Sequence, residues 1–99
     1  MDKLEAARQA IITACLETQD FLLGKNAAYG NSVFDPVRLF SKASLVEQIN
    51  VRIDDKISRL MRGHAAGEDV EDDLLGYLMI KKAVKHYLKL SEESKDPFA

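Results

Sequence analysis

Asp73 is the residue whose setting most demands chemistry. Residues from about Glu68 to Leu90 carry a helical apolar period, with Val70, Leu74, Tyr77, Val84 and Leu88 in line. At about 100° per residue, Asp73 falls about 40° from Tyr77, inside the arc spanned by Leu74, Val84 and Ile80, and Asp69 stands one turn earlier on its edge. An ionised carboxylate there is costly to bury, so it requires a metal, a cation or hydrogen-bond donors. Upstream, Glu47, Asn50 and Asp54 recur at i, i+3 and i+7 along one border of the Ile49/Ile53/Ile57 line, while Arg52, Lys56 and Arg59 form the other border. Two readings follow. In one, Glu47, Asp54, Asp69 and Asp73 converge across two packed helices and hold Mg²⁺, a hard ion that keeps several waters and bridges substrate phosphates. In the other, Asp73 pairs with Arg52, Arg59 or Lys81, and Glu47 is half of a helix cap.

The stretch 24–35, GKNAAYGNSVFD, supplies a second candidate element. Tyr29 and Phe34 could stack a base, Asn26, Asn31 and Ser32 could read its edge or a ribose, and Lys25 and Arg38 could meet phosphate oxygens. The alternative is plain turn chemistry at Gly30-Asn31, with Phe34 closing the end of the bundle. His64 and His86 have no second Cys or His in metal-binding register, so a surface role is expected for both.

These elements need a scaffold, and the apolar spacing describes one. A first helix is expected from the N-cap Asp2 to about Leu23, with Gly24 as its stop and Leu4, Ala7, Ile11, Cys15 and Leu22 as its core stripe. Asp35-Pro36 reads as the start of a short helix over Val37 to about Lys42. Ser44-Leu45-Val46-Glu47 matches a capping box opening a helix to Arg62, with Gly63 as its stop and Val46, Ile49, Ile53, Ile57 and Leu60 inward. GHAAG connects this helix to the last one. The expected fold is all-α: three long helices and one short one in a small bundle spanning 1–90, followed by a polar tail over 91–99. Long helices of ~27–35 Å around so small a core also predict a dimer or higher homo-oligomer.

Composition limits the function classes. Of 99 residues, 46% are hydrophobic and 30% charged, an ordinary globular balance. A net charge of −2 with both signs interspersed gives no field for grasping long nucleic acid. No apolar run approaches the ~20 residues of a membrane span, and MDKLEAARQAII lacks the layout of a secretory signal. The single cysteine, Cys15, excludes an internal disulfide framework and suits the cytoplasm, and its place on the stripe predicts a buried small hydrophobe.

Three segments, GKNAAYGNSVFDP, SKASLVEQINVRIDDKISRLMRG and EDVEDDLLGYL, resemble the phage and bacterial helical family called nucleotide modification associated domain 1. The likeness rests on an N-x-x-Y-G-[ND]-S loop (Asn26 to Ser32), an R-[IL]-x-D-K-x-x-R helix (Arg52 to Arg59) and a D-L-[IL]-G-Y helix (Asp73 to Tyr77), within roughly residues 24–80. That family is associated with nucleotide metabolism and phage DNA modification. More remotely, the layout looks like the MazG-type all-α nucleoside triphosphate pyrophosphohydrolases, which bind Mg²⁺ through an E-x-x-E helix and a later E-x-x-D helix and assemble as dimers or tetramers. Here Asn50 follows Glu47 at i+3, and Val70 precedes Asp73 at i−3.

The resemblance implies a protein that binds a nucleotide phosphate. In its catalytic form it is a Mg²⁺-dependent pyrophosphohydrolase, with Lys56 or Arg59 neutralising developing charge. The alternatives are a module that binds or sequesters a nucleotide without cleaving it, and a structural helical adaptor.

Overall fold

The computed structural model describes residues 1–63 and 69–91. All regular structure among them is helical: α1 (Lys3–Ala28), α2 (Leu45–Arg62) and α3 (Val70–Ser91). The chain divides into two compact units, Met1–Ser32 around α1 and a second beginning at Val33 around α2 and α3. No helix among the described residues is long and apolar enough to cross a membrane.

In the first unit, Asp2 caps α1 as expected, its carboxylate accepting from the Glu5 N–H at 2.8 Å. The end differs. Gly24 lies inside the helix, which continues to Ala28. A glycine stops a helix where a left-handed residue must reverse the chain, and α1 finds that pair beginning six residues later, in Gly30 (φ 61°) and Asn31 (φ 67°). Until then a single helical glycine costs only about 1 kcal/mol. The expected core stripe of α1 is also corrected: α1 buries none of its residues, and Leu4, Ile11 and Cys15 are all exposed. Of that stripe only Leu22 is even partly shielded from water.

The second unit opens with a segment that has no helix over 37–42. Val37, Leu39 and Phe40 are exposed there, so nothing buried offsets the cost of nucleating so short a helix. Asp35-Pro36 therefore marks a bend in an irregular strap, and the described residues form three helices where the spacing predicts four.

The boundaries of α2 match the sequence expectation at both ends. The Ser44 hydroxyl accepts from the Glu47 N–H at 3.2 Å, and Gly63 takes the left-handed cap conformation at φ 70°. Its inner face buries Leu45, Ile49 and Ile53 against Val84 of α3, with Phe34, Leu74, Tyr77 and Ile80 packed around them. Val70 is buried as well. Ile57 and Leu60, expected in this core, are exposed, because the tight packing is concentrated toward the N-terminal half of α2. The GHAAG connection beyond Gly63, His64, the expected helix start at Glu68 and the 92–99 part of the tail lie outside the described residues.

Candidate functional site

The contact between α2 and α3 sets one charged edge of α2 beside the start of α3. Lys56 leaves α2 three residues after the buried Ile53, so its stem runs along the apolar contact and its ammonium reaches the partner helix. There Lys56 Nζ lies 3.5 Å from Asp73 Oδ2, with the two side chains 11% and 19% exposed. This is the counter-charge that the inward-set Asp73 requires, and it is a cation supplied by the chain itself. The sequence pattern offers Arg52, Arg59 or Lys81 for Asp73 and does not include Lys56, which the fold brings to it.

Arg52 and Arg59 flank Lys56, roughly one turn to either side on the same edge of α2. Arg52 is exposed. Arg59 Nε lies 3.3 Å from Asp55 Oδ2, an i,i+4 pair open to solvent. The edge therefore presents two guanidiniums around one anchored ammonium, a set suited to phosphate oxygens because guanidinium donors match them in pairs.

Of the four carboxylates expected to share a metal, three have contacts elsewhere. Glu47 Oε1 accepts from the Asn50 amide at 3.1 Å. Asp54 is exposed on α2. Asp69 Oδ1 accepts from the Asp72 N–H at 2.9 Å, and the Asp69 carbonyl accepts from the Asp73 N–H at 3.1 Å, so Asp69 caps α3. Asp73 faces Lys56. Among the described residues no three His, Cys, Asp or Glu side chains gather closely enough to hold a metal ion.

Acid crowding at the start of α3 has an electrostatic consequence. The Asp72 carboxyl is pushed above its ordinary 3.8, first by the charge of Asp69 and its hydrogen bond, then by desolvation and the charges of Asp73 and Glu71.

The 24–35 stretch divides between the two units. In the first, the turn after α1 is closed by the Asn31 N–H donating to the Asn26 carbonyl at 3.1 Å and the Ser32 N–H donating to the Tyr29 carbonyl at 3.3 Å. Tyr29 is 67% exposed, a free aromatic face. The Oδ1 of Asn26 is buried and accepts no hydrogen bond. Lys25 Nζ lies 4.8 Å from the Phe21 ring centre, a cation–π contact. In the second unit, Phe34 lies tilted against Tyr87 of α3 with ring centres 4.8 Å apart, packed at the rim of the core. Arg38 accepts at its carbonyl from the Lys42 ammonium.

Two partners escaped the sequence reading. The helical wheel faces Asp55 outward, yet its i,i+4 spacing to Arg59 was a visible signal. The Lys56–Asp73 contact had no such signal, since it depends on the rotation of one helix against another. In comparisons with known protein families, curated proteins and solved structures, no match to the chain was found.

Proposed function

We propose that the chain is a helical nucleotide-phosphate-binding module that works without a resident metal, its phosphate edge formed by Arg52, Lys56 and Arg59 of α2. The observation that carries this reading is the Lys56–Asp73 pair. Asp73 fixes the ammonium of Lys56 in a largely buried position, and a cation held in place loses less side-chain freedom when an anion arrives. Phosphate oxygens take Arg52 and Arg59 through paired N–H donors, while Lys56 contributes a point charge behind them. The exposed ring of Tyr29 offers a stacking face in the first unit, to be tested separately. Resemblance of the Asn26–Ser32, Arg52–Arg59 and Asp73–Tyr77 motifs to nucleotide modification associated domain 1 points to the same ligand class. The dispersal of the carboxylates among the described residues favours binding over hydrolysis.

A calorimetric panel of nucleoside mono-, di- and triphosphates, run in EDTA alongside an assay for phosphate and pyrophosphate release, tests this. Saturable binding without product is expected. Silence across the panel, or turnover that needs Mg²⁺, overturns it.

A second reading, a helical assembly module, is favoured by one observation. α1 buries no residue and leaves Leu4, Ile11, Ile12, Leu16 and Leu23 exposed, more apolar side chain than a solitary helix ordinarily shows to water.

A further inference from the structure

The face of α3 turned away from α2 carries an order of its own. Val70, Gly76 and Val84 mark the buried side of the helix. On the opposite side, Glu71, Leu75, Leu78, Lys82, Lys85 and Lys89 recur at alternating steps of four and three residues, the spacing of a coiled-coil seam. Leu75 and Leu78, at the middle of its apolar part, are 46% and 48% exposed, and Met79 beside them is exposed as well. Charge along this seam is polarised: Glu71 stands before the leucines, and three lysines follow them.

A polarised seam repels a parallel copy of itself and attracts an antiparallel one. Laid antiparallel, with Leu75 against the partner's Leu78, the register places Glu71 opposite the partner's Lys82. The two-fold axis repeats both contacts, as an isologous interface requires. We infer that the outer face of α3 is a self-association surface, on which a second copy of this chain docks antiparallel through Leu75 and Leu78, with Glu71 and Lys82 setting the direction. About three helical turns of contact fall below a standard interface, so the dimer is weak, with a dissociation constant on the order of micromolar or above. The inference is independent of any nucleotide.

Sedimentation equilibrium on the full chain tests it through a charge swap. Glu71→Lys alone and Lys82→Glu alone each put like charges opposite one another twice per dimer, and each is expected to raise the dissociation constant about tenfold. An equimolar mixture of the two variants restores opposite charges at both contacts and recovers association close to that of the unsubstituted chain. Leu78→Lys, at an exposed position, gives a monomer with unchanged helix content by circular dichroism, which separates loss of docking from loss of folding. A chain that stays monomeric at millimolar concentration overturns the inference. So does a dimer indifferent to all three substitutions, or a mixture no tighter than its components.

Discussion

Lys56 Nζ stands 3.5 Å from Asp73 Oδ2 across the contact between α2 and α3, and each side chain is more than four-fifths shielded from water. The pair joins two roles. It neutralises a carboxylate set within an apolar arc, and it fixes one ammonium of the basic edge.

Removing one partner strands the other in a poorly solvated place. Asp73→Leu and Lys56→Met are each expected to lower unfolding stability by about 2 kcal/mol, somewhat less than for a wholly buried pair. Lys56→Met combined with Asp73→Leu recovers most of that loss, because two apolar side chains need no counter-charge. Urea denaturation of the four proteins gives the coupling, expected at about 1–2 kcal/mol; strictly additive losses contradict the contact.

Gly24 is a helical glycine with open space where a Cβ would stand. Gly24→Ala therefore stabilises α1 by about 0.5–1 kcal/mol. Increased helix content by circular dichroism, with the amide signals of the second unit unmoved, is the expected result. A loss of helicity would show that α1 ends at residue 23 after all.

Ser44 closes the start of α2 through its hydroxyl. Ser44→Ala lowers stability by about 1 kcal/mol, while Ser44→Asp, which keeps an acceptor and suits the helix dipole, holds it near the original value. Thermal denaturation of both variants distinguishes a cap from a merely tolerated serine.

Asp72 supplies the pH dependence. Its folded pKa lies above the ordinary 3.8, so the folded chain holds that proton more tightly than the unfolded chain does. The repulsion behind the shift opposes folding above the raised pKa and is relieved as pH falls through it, disappearing below about 3.8. Asp69→Asn keeps a cap acceptor and removes the largest cause of the shift. Carbon-13 titration of the Asp72 carboxyl in a dilute sample is expected to move back toward 3.8 in this variant; an unchanged midpoint assigns the shift elsewhere.

Helix α2 was legible from end to end because Ser44, Glu47 and Gly63 are local signals acting within one turn. Gly24 misled for the same reason that Gly63 did not: a glycine is a stop only where the chain uses its left-handed freedom, and Asn31 beside Gly30 took that role for α1. Val37 to Lys42 had a helix-starting dipeptide but no buried face, and burial is what keeps a short helix formed. At the site, the inward setting of Asp73 could be read from the wheel. Its partner could not, since Lys56 reaches it only through the packing angle of two helices. Asp69 looked like a ligand and serves as a cap, a choice that depends on where α3 begins to within one residue.

Arg52 offers the most direct test of phosphate recognition, being exposed on the proposed edge and outside the core. In EDTA, calorimetry of a nucleoside triphosphate against the unsubstituted chain and Arg52→Ala is expected to show saturable binding weakened about tenfold or more by the loss of one charge-assisted contact, with thermal stability unchanged. Equal affinity in the two proteins, or binding that vanishes without Mg²⁺, would contradict a metal-free basic edge.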